Sequence, residues 1–275
     1  MAKKRMEQIK TALPGIAAIS IALILLMACM TLAPRNAPAK VRPLHIVMTE
    51  WAPYTSSYIP DKGALAEMTE IAFKLQGYEV RFSIVPWQRA LDMMERQEAD
   101  ALLAVYTSKR NESRYYLSDP LLAVDSVFVR LKDMEIPYRK LDDLTAWRIG
   151  VAKDTSYAAT LKKQGPFIVE EAPHELLNYR KLVTGRIELM LDTRETIERM
   201  MDNMPESERQ PIVYMEPPYH TKTLHLAFHP TDEGKMLNRQ FNAGLQKVRD
   251  KGVHAAILEK HHIARSTGKA RSRLD

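Results

Sequence analysis

Cysteine occurs once among the 275 residues, at position 29. The rest of the chain therefore has no internal disulfide and must be held together by a packed core. Glycine is also scarce, at 10 residues, and the body contains no phosphate-cradling glycine loop, serine-nucleophile elbow or cysteine nucleophile. His174-Glu175 begins a zincin-like string, but Asn178 stands where the second histidine is required, which excludes a zinc helix. His225 and His229 are four apart on an expected strand, roughly 13 Å of rise, too far to share one metal. Met93-Met94 and Met200-Met201 read as core filler rather than copper ligands, and no metal or cofactor is expected. Charge of one sign is missing too: 40 Lys and Arg oppose 34 Asp and Glu, a net +6. Residues 1–28 hold four Lys/Arg and one Glu, so without them the balance falls to about +3, which is no nucleic-acid signature.

The chain does have a basic tip, Lys3, Lys4 and Arg5, followed by an apolar stretch from Leu13 to Cys29. This is the pattern of an export signal over residues 1–29, with 30–40 as a linker, and it predicts a periplasmic body. Leu26-Met27-Ala28-Cys29 resembles the lipobox of bacterial lipoproteins, which implies a lipidated Cys29 anchored to a membrane. A cleaved signal processed near Ala37-Pro38-Ala39, and an uncleaved anchor, are the alternatives. The polar segment 266–275 reads as a solvated tail.

The body of roughly 230 residues suffices for one large domain or two ordinary ones. Helical and strand patterns alternate along it, which predicts an α/β architecture with mostly parallel sheets. Strands are expected at His45–Met48, Val80–Ile84, Ala101–Val105, Arg148–Ala152, Ile168–Glu170 and Glu188–Leu191. Leu65, Met68, Ile71, Ala72 and Leu75 recur at helical spacing, as do Trp87, Ala90, Leu91 and Met94. No internal repeat or low-complexity tract is present.

Several segments in order resemble one family. They are Trp51-Ala52-Pro53-Tyr54, Gly63 to Glu67, Gly77-Tyr78, Pro86-Trp87-Gln88-Arg89-Ala90 and Ala99-Asp100-Ala101. Thr107-Ser108-Lys109-Arg110 with Ser118-Asp119-Pro120 is similar to a T-x-x-R…S-x-P signature, and Gly150-Val151, Gly185 to Glu188 and Asn242 to Leu245 extend the match. Over residues 43 to 262 the chain resembles the family 3 extracellular solute-binding proteins, similar to the polar amino-acid receptors of ABC importers. The resemblance implies a two-lobed periplasmic-binding-protein fold of type II, with two hinge crossovers and a ligand cleft between the lobes. Lobe 1 is expected at 41–126 and 224–265, lobe 2 at 127–223, with hinges near Asp125–Arg130 and Thr221–His225. Function is then capture of a small polar ligand, an amino acid or related carboxylate, by lobe closure. The partner would be a membrane permease or sensor, and the protein a monomer. An enzyme on the same scaffold, similar to cyclohexadienyl dehydratases, is the rival; Glu50 and Asp192 are its candidate acid–base groups.

The resemblance also implies site residues. Arg110 is the position holding a ligand carboxylate, for which a planar guanidinium is suited. Trp51 lines the pocket, and Tyr54 and Trp87 are further aromatic candidates. Thr155 and Ser156 open a helix whose N–H groups would attract an anion, although Asp154 replaces the usual glycine and can cap those groups itself. Asp192 is the candidate for a ligand ammonium. Leu103 and Val105 occupy strand positions where many receptors carry hydroxyls.

Overall fold

The computed structural model describes residues 43–153 and 155–263. Cys29, the expected export segment, Asp154, the side chain of Ser156 and the expected tail lie outside the described residues. No helix among the described residues is long and apolar enough to cross a membrane.

Strand β1 (Leu44–Met48) is buried along its whole length because both its faces are covered, as its apolar run, interrupted only by His45, foretells. Its one polar side chain, His45, is reconciled with burial by contacts of Nδ1 with the Glu98 carbonyl at 2.9 Å and Nε2 with Ser83 Oγ at 2.8 Å. β1 pairs in parallel with β2 (Val80–Ile84) on one side and β3 (Ala101–Tyr106) on the other. Between them run α1 (Ala64–Lys74) and α2 (Trp87–Glu95). Short α3 (Lys109–Arg114) and β4 (Tyr116–Leu117) follow, and then the long β5 (Leu122–Leu131).

The second half of the chain repeats the alternation. β6 (Arg148–Ala152), α4 (Ser156–Gln164), β7 (Ile168–Ala172), α5 (Glu175–Val183), β8 (Leu189–Thr193) and α6 (Arg194–Asp202) succeed one another. Short β9 (Ile212–Tyr214) and long β10 (His220–Phe228) lead to α7 (Asp232–Asp250) and α8 (Val253–Lys260). The sheet order is β2-β1-β3-β10-β5-β8-β6-β7, with β4 on β10 and β9 on β5.

The sheet is more mixed than the alternation predicts. β1–β2, β1–β3, β6–β7 and β6–β8 are parallel, but every pairing made by β5 and β10 is antiparallel. The reason is topological, because these two strands are return crossings between the halves rather than members of βαβ units. Apolar packing divides at the same strands. One core gathers Ile46, Leu65, Phe73, Val124, Leu224 and Phe241, with a smaller one about Met94 and Leu102 on the opposite face of the sheet. Two others gather Phe128, Val151 and Leu191, and Val127, Tyr179 and Ile197. The fold is thus a two-lobed α/β structure crossed twice.

One irregularity positions the site. His225 registers with Val105 and Ala227 with Leu102, so Leu103 and Ala104 together face the single Leu226. This is a β-bulge, and Ala104 sits in it at φ 64°, buried, in the left-handed region that an alanine seldom enters. Leu103 and Ala104 both join the main lobe 1 core, whereas Leu102 and Val105 lie in the smaller one. The extra residue resets the alternation of sides, and Tyr106 is returned to the side of Trp51.

Candidate functional site

Where the halves meet, an aromatic cluster spans the boundary. Trp51, just after β1, sits edge-on to Tyr54 at 4.9 Å between ring centroids and to Tyr106 at 5.6 Å. Tyr106 ends β3 and meets the ring of His220, the first residue of β10, at 5.9 Å. His220 also contacts Tyr157 of α4 at 5.9 Å and Tyr219 at 4.8 Å. The Trp51–Tyr54, Trp51–Tyr106 and Tyr106–His220 pairs are edge-to-face, an arrangement favoured beyond simple burial, and the two other His220 pairs are tilted at 39°. Hydrogen bonds fasten the same boundary. The Tyr106 and Tyr157 hydroxyls are 3.0 Å apart, Ser126 Oγ donates to Tyr157 at 3.2 Å, and Thr196 Oγ1 donates to the Ala52 carbonyl at 3.1 Å.

Two carboxylates lie on the lobe 2 side. Glu195, in the first turn of α6, accepts a hydrogen bond from the Tyr54 hydroxyl at 2.8 Å; burial raises its pKa. Asp192, near the end of β8, is 3% exposed. It accepts from the Thr193 N–H at 2.7 Å and has no ion pair among the described residues. Burial pushes it up to about 8, the behaviour of a carboxyl desolvated without a compensating cation. On the β10 side stand His220, lowered by burial to about 4 with help from the Lys222 charge, and Lys222, lowered by its own burial. Lys222 Nζ is 5.7 Å from the Tyr106 centroid. The cluster therefore has an acidic pole and a basic pole, with rings between.

A second polar knot lies beneath it. Buried His225 places Nε2 at 2.6 Å from Thr107 Oγ1 and 2.7 Å from Thr223 Oγ1, and donates from Nδ1 to the Ser118 carbonyl at 2.6 Å. The carbonyl can only accept, so the proton sits on Nδ1. One histidine thus ties together Thr107 and Ser118, the two halves of the T-x-x-R…S-x-P signature.

The structure brings Trp51, Tyr54 and Asp192 to this boundary, but Tyr54 is fully buried and its hydroxyl is engaged with Glu195. Trp87 opens α2 and packs on the smaller lobe 1 core with Ala90 and Met94, without a ring contact to the Trp51 cluster. Arg110 is exposed on α3. Its guanidinium makes no hydrogen bond or ion pair among the described residues. Thr155 does stand at the N-cap of α4, but its hydroxyl donates to the Ala152 carbonyl at 2.7 Å instead of capping the helix. Glu50 is exposed and accepts from the Ser57 N–H at 3.1 Å. Sequence reasoning missed Tyr106, Tyr157, Glu195, His220 and Lys222. The one cue for Tyr106 was its place directly before the Thr107 signature; Lys222 lay on the expected hinge at Thr221–His225, and His220 directly before it. Among the described residues no group of His, Cys, Asp and Glu could hold a metal ion.

Residues 46–264 match the family of bacterial extracellular solute-binding proteins, family 3, and the chain belongs to it. No curated protein sequence gives a significant match. Among solved structures, the ligand-binding core of GluR0 from Nostoc punctiforme, in complex with L-glutamate, is similar at TM-score 0.69 and 13% identity, covering 81% of this chain and 100% of its own. A histidine kinase sensor domain with similarity to periplasmic binding proteins gives 0.70 and 17%, covering 80% and 95%. ArtJ of Geobacillus stearothermophilus, an arginine-, lysine- and histidine-binding protein, gives 0.67 and 16%, covering 84% and 99%. These likenesses establish the type II periplasmic-binding-protein fold.

Proposed function

We propose that the protein captures a small amino acid or related carboxylate between its lobes, releases it unchanged, and serves uptake of the ABC type through a membrane permease. The observation that carries this reading is Asp192, a buried carboxyl with no cation among the described residues, beside the rings where the halves meet. A ligand ammonium would draw this carboxyl into its ionised form and pair with it, and Trp51 and Tyr106 supply flat faces for the ligand's carbons. The ligand carboxylate falls to basic groups bordering the cleft, of which Arg110 is the one the family resemblance implies. Thr155 and Ser156 would offer N–H groups at the start of α4. Lobe 1 on this reading is 41–126 with 224–265 and lobe 2 is 127–223, hinged on β5 and β10. Export to the periplasm, a lipid anchor on Cys29 and a monomeric state belong to the same proposal.

A carboxyl near 8 also suits general acid–base chemistry, so the test must separate capture from turnover. The purified protein is incubated with the common amino acids and each mixture followed by mass spectrometry and thermal melting. Intact amino acid with a raised melting temperature supports capture. Consumption that Asp192→Asn abolishes overturns it in favour of an enzyme.

A further inference from the structure

We propose that Lys222 and His220, on the cleft side of crossover strand β10, read the carboxylate of the ligand. This rests on the amino-acid reading above and names the groups that hold the acidic end. The two residues are two apart on a strand, hence on one side of it. Both meet Tyr106, by a ring contact at 5.9 Å and a cation–ring contact at 5.7 Å. Thr221, between them, and Thr223, after them, point elsewhere: Thr221 donates to Asp125 at 2.5 Å and Thr223 contacts Thr107 at 2.9 Å.

Among the described residues, neither the His220 Nδ1 nor the Lys222 ammonium has a polar partner. His220 Nδ1 is buried with no hydrogen bond among those residues, a state that costs free energy until a partner arrives. Lys222 is half-buried against a ring with no ion pair among the described residues, so a desolvated cation awaits an anion. A carboxylate satisfies both at once: one oxygen accepts from the ammonium, the other from the imidazole N–H, which needs no charge on the ring. Leu103 and Val105 of β3 offer the anion no hydroxyl and are buried in cores on opposite faces, and the Tyr106 hydroxyl is engaged with Tyr157. Asp192 and Glu195 lie across the rings, and after burial, the main cause, their charges add to the raised pKa of Tyr106. A zwitterion would span the two poles with its chain against the rings.

The experiment uses the amino acid that gives the largest thermal shift in the screen, and its decarboxylated amine, for instance L-arginine and agmatine. Calorimetry measures both on wild type, Lys222→Met, Lys109→Met and Arg110→Met. The wild type is expected to prefer the amino acid by tenfold or more, about 1.4 kcal/mol. Lys222→Met should bring the two affinities within about threefold, while exposed Lys109→Met should leave the ratio unchanged. If Lys222→Met fails to fold, Lys222→Arg, which should keep the ratio, and His220→Gln, which should narrow it, serve in its place. A full ratio in Lys222→Met, whatever Arg110→Met does, overturns the assignment and leaves the amino-acid reading standing. No thermal shift with any amino acid overturns both.

Discussion

Replacing Asp192 by asparagine keeps the shape of a buried side chain and removes its titration. In the unfolded chain the carboxyl ionises near 3.8, and in the fold near about 8. Between those values the folded protein keeps a proton that the unfolded chain has lost. The stabilising contribution of protonated Asp192 is therefore fully present below about 4 and declines as pH rises towards 8. At about 1.4 kcal/mol for each pH unit of the gap, the ceiling is on the order of 5–6 kcal/mol. Water entry and local relaxation will realise only part of it. Even half should move the melting temperature by several degrees, because about 1 kcal/mol corresponds to roughly 2–4 °C at this chain length. The assay is thermal melting of wild type and Asp192→Asn, without ligand, at intervals from about pH 4 to 8.5. Wild type minus variant should fall steadily with pH. Glu195, raised by burial, and His220, lowered by it, titrate in both proteins and largely cancel in the difference. A flat difference would mean that Asp192 is solvated or paired, and the argument for an ammonium site would lose its basis.

Asn178, wholly buried on α5, leaves both side-chain polar atoms without partners among the described residues; Asn178→Leu, of similar shape, should raise the denaturation midpoint by the equivalent of about 1–3 kcal/mol, and a lowered midpoint would show that the amide is satisfied. Gly244 on α7 lies so close to α1 that a Cβ would come within 2.1 Å of the Ala72 carbonyl oxygen. Gly244→Ala should therefore cost about 1–3 kcal/mol or more in chemical denaturation, and wild-type stability would show that the two helices part easily.

Much of the fold was legible because its units are local. The apolar run of β1, the alternation of β2 and the helical spacing of α1 and α2 each declare themselves within a dozen residues, and the expected β6, β7 and β8 differ from the observed strands only at their ends. The antiparallel character of β5 and β10 was not legible, since pairing partners about a hundred residues apart leave no periodic trace. The site divided in the same way. Trp51 and Asp192 could be named from segments that match a family, and the structure sets the Trp51 ring against Tyr106 and Asp192 within electrostatic reach of it. Tyr106 could not, because its side is set by the bulge at Leu103 and Ala104, and a bulge breaks the two-residue period on which strand reading depends. His220 and Lys222 escaped because a hinge was read as a connection rather than a surface.

The paired crossings have a consequence for how the chain comes to be folded. β5 and β10 are joined by a ladder from Leu122 opposite Leu224 to Ser126 opposite His220, and each continues into the sheet of one half, β10 against β3 and β5 against β8. The hydrogen-bonded path from β2 to β7 is unbroken, so one half cannot melt without exposing the ladder edge of the other, and calorimetric unfolding should show a single transition. Assembly is not symmetrical, however. The second half is continuous in sequence, whereas the core of the first needs Leu224, Phe228, Phe241 and Leu245, which follow everything else. A chain emerging from its N-terminus would hold Leu65 and Phe73 exposed until the last third arrives. The second half, though begun later, is the one that can close first.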